Sequence, residues 1–345
     1  ITCAGLYTDV DYLEAIVYIK KEAGYGGGLC TQGTREYVRF FLSWDNGVTW
    51  EDQGMTFFTA WDVKGKKPLE CAVKLHISPE KKKCVIENLP KMRAILSWNF
   101  PPPAGNAFWT PVWGNVYNGR VQIKALKPDE GAEGGATKAL SVKELETIYK
   151  PHNVEAKRYL YPVLQKLKKA DEPFTPALAA GNISGIEGLT VNIPNVIAEL
   201  ATTDGSTFYE ELGCVGLDTM MCILEATIKV KKPYGYMGGL CTKGSTEYVA
   251  FWIDFGTGAG WEYVGTAKLN THDIKSIPRE GLDYAVFQGN VPDHRKHCQE
   301  GPITAKVRAI LSWETPPPPA NPDWIPVWGN REETLVLIPP LEAFM

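Results

Sequence analysis

Three carboxylates occur twice in this chain of 345 residues at one constant offset: Glu14 and Glu225, Glu36 and Glu247, Asp62 and Asp273. Two carboxyl groups brought to one place, one protonated and one ionised, are what general acid/base hydrolysis needs. Around them the usual catalytic signatures are missing. There is no Gly-x-Ser-x-Gly elbow, no HExxH and no Walker loop. Gly24 to Gly28 does not end in Lys-Ser/Thr, Leu29 stands where a dinucleotide fingerprint needs glycine, and a strand pattern follows, so the run reads as a turn. His294, His297 and Cys298 lie close together in a loop-like stretch without zinc spacing. No metal and no cofactor is implied. Four tryptophans beside proline-rich segments, Trp109, Trp113, Trp324 and Trp328, are the candidate ligand-binding set. Exposed, such rings stack on sugars or on a partner's prolines; buried, they staple their loops to the body of the fold.

The carboxylates recur because the chain around them recurs. Gly27 to Ser43, GGLCTQGTREYVRFFLS, returns as GGLCTKGSTEYVAFWID from Gly238 to Asp254, at the same offset of 211 residues as the acids. Arg93 to Trp98 returns as Arg308 to Trp313, and Pro111 to Asn115 as Pro326 to Asn330. A repeat of roughly 120 residues has the size of a domain, not of a solenoid unit. Duplication alone explains the paired acids, and no active site is required to account for them. Arg93 and Arg308 alternate with core positions and are expected to face the other side of their strands, paired with a carboxylate.

Hydrophobic content of 44% with 11% aromatics supports buried cores and excludes general disorder. A net charge of −4 argues against a nucleic-acid partner, which demands a basic surplus. Lys81-Lys82-Lys83 reads as a solvated loop, and no apolar run approaches the length of a membrane span. A chain opening at Ile1 is expected to be a mature form, a fragment or a processed product.

Eight cysteines fall four to each copy. Cys3, Cys30 and Cys84 match Cys214, Cys241 and Cys298, while Cys71 and Cys222 are unmatched. Two disulfides per copy are expected, with Cys30–Cys84 and Cys241–Cys298 the first pairs to consider; buried thiols in a reducing compartment are the alternative.

The elements that must position these residues are strands. Leu13, Ala15, Val17 and Ile19 alternate with polar or second-face residues, as do Val38, Phe40 and Leu42 in the repeated stretch, which reads as a central strand of firm register. Leu69–Ile77, Met92–Trp98 and Arg120–Ala125 are further strands by the same reading, and Pro101-Pro102-Pro103 must leave the sheet. Ser43-Trp44-Asp45-Asn46-Gly47-Val48-Thr49-Trp50 resembles the Asp-box hairpin of sialidases and other β-propellers. It occurs once, so the resemblance implies a hairpin, with Asp45 bonding the turn backbone and Gly47 supplying a positive φ. The strand, proline turn and closing strand of each copy are loosely similar to β-sandwich domains appended to some secreted subtilisin-like proteases.

Between the copies the pattern changes. Lys127–Thr137 reads as a linker, Ser141–Glu144 as a capping box opening a helix with Leu140 and Leu145 as its staple, and a second, amphipathic helix follows from Asn153, disturbed near Pro162. Leu189–Ile193 suggests a strand and Asn195–Leu200 a short helix. Asn182-Ile183-Ser184 is a glycosylation sequon for a secreted chain.

The expected fold is mainly β: two duplicated antiparallel β-sandwich domains, immunoglobulin-like or jelly-roll, at 1–125 and 211–339, joined by a partly helical connector at 126–210 and followed by a tail at 340–345. The expected function is that of a non-catalytic structural or protein-interaction protein, extracellular or on a cell surface, with another protein or its own copies as partner and no nucleic acid or membrane span. A carbohydrate-binding tandem using the four tryptophans is the alternative. An enzyme with an interdomain site is the third reading.

Overall fold

The computed structural model describes residues 1–65, 68–126, 137–168, 172, 174–175 and 189–341. Most of the expected linker (127–136), the sequon Asn182-Ile183-Ser184 and residues 342–345 of the tail lie outside these.

The first copy runs through β1 (Cys3–Tyr7), β2 (Tyr12–Ile19), β3 (Thr34–Ser43), β4 (Glu51–Ala60), β5 (Leu69–His76), β6 (Lys91–Trp98) and β7 (Val116–Arg120). Three helices follow, α1 (Val142–Tyr149), α2 (Ala156–Leu167) and α3 (Ile193–Ala201). The second copy supplies β8 (Glu210–Asp218), β9 (Ile223–Val230), β10 (Ser245–Asp254), β11 (Glu262–Thr271), β12 (Leu282–Gln288), β13 (Ile303–Trp313) and β14 (Arg331–Ile338). The fold is mainly β with several sheets.

Each copy folds four strands into a sheet of the same plan, β4-β3-β6-β7 and β11-β10-β13-β14, with the repeated stretch as an inner strand. The remaining three strands of each copy do not form a sheet of their own. They join in one closed six-stranded barrel, β1-β12-β9-β8-β5-β2. Two sandwiches held apart by a connector therefore do not describe the molecule, because its central layer belongs to both copies. The barrel closes at two parallel seams, β1 on β12 and β5 on β8. Parallel neighbours within one copy would need a long crossover. Here the strands at each seam come from different copies, so none is needed.

Strand β2 shows how one sequence serves both layers. Leu13, Ala15, Val17 and Ile19 enter the core beneath the first four-stranded sheet. Glu14 is buried on the alternate face, while Ile16 and Tyr18 pack inside the barrel with Ala72, Cys3 and Cys214. A strand buried on both faces belongs to a middle layer. Gly5 fits this scheme: a Cβ there would lie 2.3 Å from the Tyr284 carbonyl oxygen across the seam.

The disulfides join the copies. Cys3 bonds Cys214, linking β1 to the opposite strand β8 across the barrel. Cys30 bonds Cys298 and Cys84 bonds Cys241. The expected pairs within each copy, Cys30–Cys84 and Cys241–Cys298, are thus replaced by the same four residues exchanged between copies. Cys71 and Cys222 stand outside these three bonds.

The turn between β3 and β4 is a hairpin tied by Asp45. Its Oδ1 accepts from the backbone of Val48 (3.0 Å) and Thr49 (2.8 Å), and Ser43 Oγ accepts from Gly47 N at 2.7 Å. Gly47 has φ of 97°. The closing strand of the first copy comes earlier than Arg120–Ala125: residues Val116–Arg120 pair with β6, while Val121 and Ile123 make single backbone bonds to Pro90 and Asn88.

Helix α1 carries the expected capping box, Ser141 Oγ accepting from Glu144 N and Glu144 accepting from Ser141 N. Helix α2 keeps Pro162 inside it, and Asn192 caps α3, so Leu189–Asn192 form no strand. All three helices bury one side in the core of the second copy, with Leu145, Tyr149, Leu160, Leu164 and Ile197 almost fully enclosed. Each such side chain contributes about 1.5–3 kcal/mol of hydrophobic stabilisation.

Candidate functional site

The duplicated acids reach three different environments. Glu14 on β2 and Glu225 on β9 stand on opposite strands of the barrel, and both are fully buried. Lys74 Nζ lies 3.2 Å from Asp218 and 3.5 Å from Glu225. The copies differ at this point: Tyr7 replaces Asp218 at the other seam, where its ring meets Phe287 edge-on at 5.2 Å. Burial raises both glutamates well above the usual carboxylate range, with the Glu225 charge adding to it at Glu14, Asp218 at Glu225, and Lys74 opposing. A carboxyl group with no exposed surface reaches no substrate unless the barrel opens, so this cluster is a feature of the core. Asp62 and Asp273 tie their turns, accepting from Tyr25 N and from Gly235 N and Tyr236 N respectively.

Glu36 and Glu247 mark the site where the copies diverge. In the second copy α2 lies over this region and drives Arg158 into it, fully buried. The Arg158 guanidinium forms a two-pronged pair with Glu210 (2.9 and 2.7 Å), and its Nε donates to Gly235 O at 3.0 Å. It stacks 3.6 Å above Trp313 and is 5.0 Å from Trp328. Glu247 faces the same cation from β10; burial and the neighbouring Glu210 drive its carboxyl well above the normal range.

The first copy has the same walls, and among the described residues no helix lies over them. Gly24, Tyr25, Glu36, Trp98 and Trp113, the counterparts of Gly235, Tyr236, Glu247, Trp313 and Trp328, line an open groove of about 920 Å³. The scaffold beneath is conformationally the same. Asn115 Nδ2 donates to Ile1 O at 2.8 Å, as Asn330 Nδ2 does to Leu212 O at 3.1 Å. Trp98 N donates to Trp113 O at 2.9 Å, as Trp313 N does to Trp328 O at 3.4 Å. Gly114 (φ 138°) and Gly329 (φ 105°) hold the turn that aims each tryptophan.

Burial pushes the Glu36 carboxyl up to about 7, with the Ile1 amino group pulling it down. Among the described residues no lysine or arginine makes an ion pair with it. Lys20 and Lys21 sit at the groove's edge. Trp113, on the wall of the groove, is 68% accessible.

The four tryptophans therefore do not form one platform. Trp113 is open to solvent on the groove, and Trp328 is buried under α2. Trp109 packs with Phe41, Ile95 and Ala107, and Trp324 with Ala250, Trp252 and Ile310, each half-buried on the outer face of its sheet. Arg93 and Arg308 are on those outer faces as expected. Arg308 pairs with Glu333 at 2.6 Å, whereas Arg93 binds Asn118 and stacks on Trp50. His294, His297 and Cys298 make no metal site: Cys298 is in a disulfide, and among the described residues no cluster of His, Cys, Asp or Glu could hold a metal ion. Sequence reasoning marked Glu36 and Trp113 but did not connect them. Aligning the two copies around Arg158 was the signal that could have done so.

No known protein-family model matches the chain, and no curated protein resembles it significantly.

Proposed function

We propose that the chain is a non-catalytic interaction protein that binds a partner protein through the first-copy groove. In this reading each copy is a sandwich-like half, the second made self-sufficient by the helical insert and the first left available. The carrying observation is the contrast between equivalent grooves, one filled by the chain's own helix and one open, lined largely by apolar groups with Trp113 exposed. Contiguous apolar surface of that kind marks an interaction site. Three disulfides between the copies fit an extracellular or cell-surface location. Among the described residues no helix is long and apolar enough to cross a membrane.

The test is site-specific photocrosslinking from Ala23, a groove residue, with adducts identified by mass spectrometry. An adduct with one protein, or with a second copy, that disappears in Trp113→Ala supports the reading. Retention of a glycan lost in the same variant, without a protein adduct, replaces it by the carbohydrate alternative.

A further inference from the structure

We infer that the first-copy groove receives an amphipathic helix of a partner polypeptide, which inserts an arginine against Glu36 between Trp98 and Trp113. This rests on the reading of that groove as a partner site and names what enters it.

The second copy supplies the template. There the occupant is a 12-residue helix whose arginine has five wall groups: two tryptophans, a tyrosine, a glycine carbonyl and, through charge alone, Glu247 on the inner strand. All five have counterparts lining the first-copy groove. Arg158 also pairs with Glu210 and stacks on Tyr209, which precede Leu212, the counterpart of Ile1. Among the residues lining the first groove, the carboxylate facing an incoming arginine is Glu36. Arginine suits this chemistry better than lysine, because its flat guanidinium stacks on indole while its edge meets a carboxylate. Lysine would keep a compact, strongly hydrated charge that the apolar walls cannot solvate. The lining completes the match: Val17, Ile19, Leu96 and the exposed Trp113 offer apolar surface to the hydrophobic stripe of a helix, and the exposed Lys20 and Lys21 suit acidic residues on its flank.

The probe is a capped peptide of residues 153–168, the chain's own α2, titrated onto the intact protein by calorimetry. Saturable binding is expected, weakened at least about tenfold when the peptide carries Arg158→Ala. A similar loss is expected when the protein carries Glu36→Gln or Trp113→Ala. Neither protein variant threatens folding, since Glu36→Gln mimics the protonated acid and Trp113 is mostly exposed; thermal melting verifies this. Absence of binding, or equal binding of the Arg158→Ala peptide, overturns the inference. So does binding indifferent to both protein variants, which would put the peptide elsewhere. A groove-dependent protein adduct from Ala23 together with any of these results would retain the partner site and reject only the arginine-bearing helix.

Discussion

Glu36 and Glu247 occupy the same position on equivalent strands, yet one lines an open groove and the other is sealed beneath Arg158. Their backbones and neighbouring tryptophans are arranged alike. The difference is a helix that, among the described residues, lies over Glu247 and not over Glu36. A duplicated fold thereby holds a covered and an open version of one surface in a single molecule.

Arg158 should be the residue on which the insert depends. Arg158→Ala leaves Glu210 and Glu247 buried without their cation, and we expect a loss of about 3–5 kcal/mol in urea unfolding. Arg158→Lys should recover only part of it, because the two-pronged pair and the stacking on Trp313 both need a planar guanidinium. A loss below about 1 kcal/mol in Arg158→Ala would show that α2 is held by its apolar side alone.

Stability should fall as pH rises from about 5 to 8. Glu36 and Glu70 are raised to about 7, and Glu14, Glu225 and Glu247 well above their usual value, burial being the first cause in each. In that window the folded chain holds protons that the unfolded chain has released, so raising the pH favours unfolding. Their contribution is complete below the unfolded value near 4.5 and is lost as pH passes the raised one. Melting temperatures across this range are the measurement. Glu14→Gln should raise stability at pH 8 and flatten the profile; a profile that rises with pH contradicts this account.

The disulfide pairing can be read directly by peptide mapping without reduction. Fragments joined as Cys3–Cys214, Cys30–Cys298 and Cys84–Cys241 are expected. Each closes a loop of more than a hundred residues, so removing one by serine replacement should cost about 2–5 kcal/mol. Recovery of a Cys30–Cys84 peptide would refute the exchange between copies.

Gly5 should tolerate no side chain. Gly5→Ala places a methyl against the Tyr284 backbone at the β1–β12 seam, where neither strand can retreat without opening the barrel. A cost of about 3 kcal/mol or more is expected. Gly28→Ala, with nothing within 4 Å of the added atom, is the control and should be neutral in the same unfolding assay.

Much of the local structure was legible in the residues. The alternation of Leu13 to Ile19 and of Val38 to Leu42 determined two strands and the faces they bury. Ser141 and Glu144 determined a helix start, and Asp45 with Gly47 a hairpin. These depend on neighbours a few positions away, where the period of the backbone translates pattern into geometry. The constant offset determined that the chain contains one plan twice.

What the offset could not reveal is that the two plans share a layer. The second face of β2, with Glu14, Ile16 and Tyr18, shows no apolar stripe, because its partners are a lysine, a disulfide and a facing carboxylate contributed by strands far along the chain. Duplication also makes Cys30 equally matched to Cys84 and Cys298, and only distance in space separates the two. The groove is the clearest case. Glu36 and Glu247 read identically in sequence, and the fates of both were decided by where α2 packs, since occupation of a surface is a property of the assembled tertiary structure and not of the strand that carries it.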